Sequence, residues 1–375
     1  MDLSLNEDQK LIQNSVEKFI LETYDSENRR KTIKNNNGSN EAIWKTFSEL
    51  GWLSLTFTEE DGGFGGDLID LMILMKAFGK GLVIEPYIST VILSGGILSL
   101  CPKSLIRDSI IEKIISGDSK VSFAFSEPTS RFNLSDITTV ATLDNNEWSI
   151  NGHKCVVLGA AQADYILVTA RTSGKRFDKE GISIFLLEKN IPGLVMQDYP
   201  TVDGFKAAEV VLNNVKVSDS YLISTENTSY EIIEKTINKT LIALAAEASG
   251  IMEKMYEMTL EYIKTRKQFG VAIGKFQAIQ HRAVEMLILS DEMNSLSNMA
   301  ALKGNNNVSA LKATYASKIH IGIGGKKLAQ EAIQLHGGMG VTEEMEIGQY
   351  FKRLTLLDTF LGNSDYYLDI YSKLD

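Results

Sequence analysis

Residues 229–269 read SYEIIEKTINKTLIALAAEASGIMEKMYEMTLEYIKTRKQF, a stretch without proline and with one glycine, Gly250. Apolar side chains recur at Ile233, Ile237, Leu241, Leu244, Ala248, Ile251, Met255, Met258 and Tyr262, in steps of four and three. That spacing predicts one amphipathic helix. At about 1.5 Å per residue it runs roughly 55–60 Å, so no single small core covers it and other helices must lie along it. Arg266 and Lys267 in the last turn, with Gly270 free to take a left-handed cap, predict its end.

Towards the C-terminus the helical period continues. A second helix is expected from Phe276 to about Leu302, with Ile279, Ala283, Met286, Met293, Leu296 and Ala300 on its seam. The polar break Gly304-Asn305-Asn306-Asn307 precedes a third from Ser309 to Leu335, closed by Gly337-Gly338, and a last segment from Ile347 to Leu374 packs against them. Short connections between such helices predict an antiparallel four-helix bundle.

Upstream the period changes to alternation. Val121–Phe125, Ile137–Leu143, Trp148–Ile150, Lys154–Leu158, Tyr165–Ala170, Ile182–Leu187 and Ala208–Leu212 read as short strands. With no interleaved helices, the expectation is an antiparallel barrel or sandwich. Before Val121 the chain is helical again. Asn6 and Gln9 form a capping pair ahead of Leu11, Val16 and Phe19, and further helices are expected at Asn40–Leu50, Asp67–Phe78 and Ser104–Ile115. Asn28–Asn40, with Arg29, Arg30, Lys31, Lys34 and a run of asparagines, reads as an exposed loop rather than a phosphate site. Gly62-Gly63-Phe64-Gly65-Gly66 lacks a preceding strand and GxGxxG spacing, so it reads as a turn. The expected fold class is α+β, in three domains: helical 1–120, β 121–222 and helical bundle 223–375.

With 38 Lys plus Arg against 48 Asp plus Glu, a net charge of -10, a nucleic-acid or anionic-membrane surface is disfavoured. Cys101 and Cys155 give neither a disulfide framework nor CxxC spacing. The beginning, Met1-Asp2-Leu3-Ser4, has no apolar leader segment, and no run of about 18 apolar residues occurs. A cytoplasmic protein is expected. His153, His281, His320 and His336 have no metal-ligand spacing, so no metal is expected.

The block order and several strings resemble the acyl-CoA dehydrogenase family over the whole chain. The strings are Arg266-Lys267-Gln268-Phe269-Gly270 followed by Phe276-Gln277-Ala278-Ile279-Gln280, then Gln334-Leu335-His336-Gly337-Gly338-Met339-Gly340. Ser126-Glu127-Pro128 and Ile150-Asn151-Gly152-His153-Lys154 add to them in the β block. Tyr350–Thr355 and Leu361–Asp365 look most like the small subunit of pimeloyl-CoA dehydrogenase.

The resemblance implies α,β-dehydrogenation of an acyl-CoA thioester, with FAD as cofactor and an electron-transfer flavoprotein as acceptor. It also implies a carboxylate that takes the α proton. At the family's usual place for that glutamate stands Leu361, and at its other known place Thr240. Glu247 is the nearest replacement, two turns beyond Thr240 on nearly the same helix face, and is read also as a polar residue paired inside the bundle. Asp358 is a weaker candidate. In the β block Ser126 keeps a hydroxyl for the flavin, but Val156 and Leu158 hold the places of the family's Trp and Thr. The residues that in the family reach a neighbour's FAD are all present: Arg266, Phe269, Gln334 and Gly338. Three readings follow: the base-lacking small subunit of a heterotetramer, a self-sufficient homo-oligomeric dehydrogenase using Glu247, and a CoA-ester-binding or scaffold protein without redox function.

Overall fold

A computed structural model describes residues 5–34, 38–304, 307–342 and 344–374. The asparagines Asn35–Asn37, Asn305 and Asn306, and the N-terminal Met1–Ser4, lie outside them. The chain forms two compact units: Met1–Arg30, Asp67–Val83 and Leu241–Asp375 make one, Lys31–Gly66 and Ile84–Thr240 the other.

The first unit is helical. Helix α1 (Glu7–Glu22) opens on the expected capping box, with Gln9 N donating to Asn6 Oδ1 at 2.8 Å and Asn6 N to Gln9 Oε1 at 3.1 Å. It buries Val16 and Phe19, but Leu11 faces solvent. The predicted loop at Asn28 is instead helix α2 (Ser26–Lys34), and Arg29 is buried, its Nε donating to the Leu82 carbonyl at 2.8 Å. Strongly polar side chains hid a helix whose buried residues, Arg29 and Thr32, are a cation and a hydroxyl. After α3 (Glu41–Glu49), which belongs to the second unit, helix α4 (Leu68–Gly81) starts on a second capping box, Asp67 with Asp70.

The long helix is α7 (Tyr230–Thr265), and the predicted seam from Ile233 to Met255 is buried. Its glycine has a steric cause. A Cβ on Gly250 would lie 1.9 Å from the Lys76 carbonyl oxygen, and one on Gly79 would lie 2.1 Å from that of Glu247. The two glycines let α4 and α7 touch backbone to backbone, and Glu253 locks the crossing with Lys76 at 2.9 Å and Lys80 at 2.5 Å.

Beyond α7 the expected left-handed cap is a hairpin. Lys267–Gln268 (β8) pairs with Val271–Ala272 (β9), and Phe269 and Gly270 both take positive φ, the two-residue turn that matches strand twist. Helix α8 (Gln277–Lys303) follows. The predicted helix 309–335 is two: α9 (Val308–His320) and α10 (Lys326–His336), joined by a π-helical turn at Ile321–Gly325. The end is α11 (Ile347–Thr359) and α12 (Ser364–Ser372).

The second unit holds the sheet. A π-helical turn at Ile88–Ser94, α5 (Gly95–Leu100) and α6 (Leu105–Ile115) precede it. The first two are nearly all buried, so they show no polar face and no readable period. The strands are β1 (Val121–Ala124), β2 (Val140–Asp144), β3 (Glu147–Leu158), β4 (Tyr165–Arg171), β5 (Ile182–Glu188), β6 (Leu194–Pro200) and β7 (Lys206–Ser218). Their order is β1-β4-β2-β3-β7-β6, with β5 on β4.

The sheet is mixed, not antiparallel as expected, because β1 pairs parallel with β4 from Val121↔Tyr165 to Ala124↔Val168. Parallel neighbours need a long crossover, and here the β2–β3 hairpin supplies it in place of a helix. The two strands predicted at 148–158 are one bulged strand, with register shifts at Ile150/Gly152 and Lys154/Val157. Strand β6 escaped prediction because it is a half-exposed edge.

Candidate functional site

The residues picked from the sequence fall into four places. Arg266 and Phe269 follow α7, while Gln334 and Gly338 straddle the end of α10; Tyr262 and His336 tie the two strings together. The Tyr262 and His336 rings stack at 4.4 Å and the Tyr262 hydroxyl donates to the His336 carbonyl at 3.3 Å. All four picked residues are exposed, and the Phe269 ring is 92% exposed with only an edge contact to Phe276. Among the described residues Phe269 is the most exposed large apolar side chain, just ahead of Leu105 at 91%.

The histidine at the centre of this face is buried. Its Nδ1 lies 2.8 Å from the Ala332 carbonyl, which can only accept, so Nδ1 carries the proton and Nε2 is left as an acceptor. Burial pulls its pKa down, and Nε2 has no partner among the described residues. A Cβ on Gly338 would meet no atom within 4 Å. Among the described residues nothing requires glycine there, and its bare backbone fits a ligand that arrives from outside. An arginine, an uncovered ring, a glutamine, an orphaned acceptor and bare backbone together fit a nucleotide diphosphate such as FAD.

Glu247 lies deep in the first unit. Both its carboxylate oxygens are taken by Arg353: Nε to Oε1 at 2.6 Å and Nη2 to Oε2 at 3.0 Å, with both residues 3% exposed. This matches the reading as a pair inside the bundle, and a proton-acceptor role would first have to break a bidentate buried ion pair.

Leu361 stands in a turn held by two side chains, Lys318 and Tyr367. Its φ is +62°, and its carbonyl accepts from the Tyr367 hydroxyl at 2.8 Å. Buried Lys318 donates to the carbonyls of Leu357, of Asp358 at 2.9 Å and of Phe360 at 2.9 Å. Burial pulls the Lys318 ammonium down to about 7, against the pull of Asp358. Asp358, the weaker base candidate, is spent as a cap: its Oδ1 accepts from Ser364 N at 3.0 Å. It fits because position 322 is glycine, where a Cβ would lie 2.2 Å from that oxygen. Sequence reading missed Lys318; its one visible signal was a cation amid the small and apolar residues Ala316, Ser317, Ile319 and Ile321.

Ser126 belongs to the second unit. It is half-buried, its Oγ 3.7 Å from Cys155 Sγ, and its carbonyl accepts from Cys155 N at 2.9 Å. Val156, in the Trp position of the resemblance, bulges at φ +52° with an exposed side chain. Beneath them lies a buried polar network. Glu127 accepts from Lys154 Nζ at 2.7 Å and from the amides and hydroxyls of Thr138 and Thr139. Burial pushes the Glu127 carboxyl up, but Lys154 and the threonine hydroxyls outweigh it and hold it at about 2; burial draws Lys154 down to about 8.

Three family models match the chain: acyl-CoA dehydrogenase, N-terminal domain over residues 6–118, middle domain over 122–215 and C-terminal domain over 230–373. The probable acyl-CoA dehydrogenase YngJ of Bacillus subtilis is 30% identical over 328 residues, 86% of each chain. The acyl-CoA dehydrogenase structure from Geobacillus kaustophilus superposes with a TM-score of 0.91 at 22% identity, covering 100% of this chain and 99% of the other. The ChsE4-ChsE5 complex from Mycobacterium tuberculosis gives 0.88 at 22% identity, covering 100% and 98%.

Proposed function

Because this chain belongs to the acyl-CoA dehydrogenase family, whose members are FAD-dependent oxidoreductases acting on the CH–CH group of acyl-CoA thioesters, we propose that it is the base-lacking partner in a two-subunit dehydrogenase of the pimeloyl-CoA type. The observation that carries this reading is Leu361, an aliphatic side chain where the family resemblance expects the glutamate that accepts the α proton. Bound FAD supplies the acceptor for the β hydrogen as hydride. This chain's own contribution is the exposed face: Arg266 for a phosphate, Gln334 for polar edges, Gly338 for close approach and Phe269 to cover apolar surface. Ser126 is assigned a hydroxyl contact to the flavin ring. The partner subunit supplies the carboxylate, and an electron-transfer flavoprotein takes the electrons.

The three-domain division at 120/121 and 222/223 is part of the proposal and is supported by the limits of the three family models. A cytoplasmic setting is part of the proposal; among the described residues no helix is long and apolar enough to cross a membrane, and Cys101 and Cys155 are free thiols.

The test is to purify the chain alone and after co-expression with an adjacent dehydrogenase gene, and to record flavin absorbance and acyl-CoA oxidation for each. Flavin and turnover are expected only in the co-purified complex. A lone chain that is stoichiometrically yellow and active refutes the proposal and points to the self-sufficient reading. In that case Glu247→Gln decides whether Glu247 is the base, because turnover should vanish while flavin stays.

A further inference from the structure

Three unusual features meet at one point in the first unit. The helix pair α9–α10 is interrupted by a π-helical turn whose Gly322 makes room for Asp358. A fully buried lysine spends its three protons on three carbonyls at the end of α11. A leucine, not a glycine, occupies the left-handed region at 361.

A helix end needs none of this. Glycine at 361 would adopt that conformation without strain, and water would satisfy the last carbonyls at no desolvation cost. Strain of this kind persists only where its surroundings over-determine it, and such places concentrate at functional sites.

We propose that Lys318 and Tyr367 are positioning residues that fix where the side chain of residue 361 points, so that the turn 357–362 is a ready-made mount for a proton acceptor this chain no longer carries. The inference deepens the reading of Leu361 given above and rests on it for its functional meaning. Lys318 sets the path of the backbone up to Phe360, and Tyr367 pins the carbonyl of residue 361 itself. Between these anchors the φ of residue 361 is left no freedom, so whichever side chain stands there is delivered to the same place.

The test compares Leu361→Gly with Leu361→Ala. Both remove the side chain, but only glycine relieves the left-handed backbone, so the glycine variant should melt about 2 °C above the alanine variant. In a Lys318→Met background that difference should shrink to less than half, because the turn can relax. If Lys318→Met does not fold, Tyr367→Phe, which removes one hydroxyl, serves instead with a smaller loss in the same direction. A glycine advantage that is absent, or unchanged in every background, overturns the proposal.

A second arm reads chemistry. In the chain purified without the partner that supplies the carboxylate, Leu361→Glu should exchange the α hydrogens of butyryl-CoA with D2O about tenfold faster than the parent. The carboxylate takes the Cα proton and returns a deuteron drawn from solvent. Adding Lys318→Met or Tyr367→Phe should cut that gain, and a gain untouched by both counts against positioning. If no exchange appears although the melting comparison shows the coupling, positioning stands and the identification of 361 as the proton-acceptor place falls.

Discussion

Arg353 and Glu247 satisfy one another inside the helical unit with two short bonds and almost no exposure. Arg353→Met should therefore destabilise the protein by about 3–5 kcal/mol, because it leaves a carboxylate buried without its partner, whereas Arg353→Met with Glu247→Leu should recover most of that loss. Urea unfolding of the single and double variants checks it. Glu127 shows the pH counterpart. Its carboxyl is depressed to about 2 in the fold, so its ionised form stabilises the native state above the ordinary carboxylate range near 4.5. That stabilisation, on the order of 3 kcal/mol, is lost as pH falls from about 4.5 towards 2. The stability gap between the parent and Glu127→Gln should be widest near pH 6 and narrow markedly by pH 3. Single residues were the least legible scale in the sequence. Glu247 stood out as a carboxylate on a helix face, but its partner Arg353 lies 106 positions away, and Lys318 is marked only by its small and apolar neighbours.

Helices were read well where one side is apolar and the other polar. The seam of α7 and the capping box of α1 were both visible in advance for that reason. Elements buried on every side, such as Ile88–Leu100, carry no contrast, and the sheet's parallel pair depends on a crossover of forty residues rather than on local pattern. The lone glycine of α7 was visible too, and its purpose was not. Gly250→Ala should destabilise by several kcal/mol, since a Cβ 1.9 Å from a carbonyl oxygen forces α4 and α7 apart along their whole contact. Denaturant midpoints compared with a solvent-facing control such as Ser295→Ala would reveal the effect, and an equal response from both would refute it.

At the scale of the molecule, the cofactor role proposed for Arg266, Phe269, Gln334 and Gly338 predicts that stability and cofactor retention separate. Gly338→Ala should leave the melting temperature of the lone chain unchanged, because its added methyl meets nothing within 4 Å. The same substitution should lower the flavin kept by the co-purified complex through dialysis, as read by absorbance. A fall in stability would mean that the glycine serves this chain alone. The four residues were picked from motif strings in the sequence, while the stacking of Tyr262 on His336 between those strings was not visible there.

The hairpin tip at Phe269 also bears on how such a protein is produced. A phenyl ring held out in water on a two-residue turn leaves apolar surface for the proposed second subunit to cover. On the two-subunit reading proposed above, cells that make this polypeptide have reason to match its synthesis to that of the proposed partner, through linked genes or co-translational pairing, so that the ring seldom meets solvent for long.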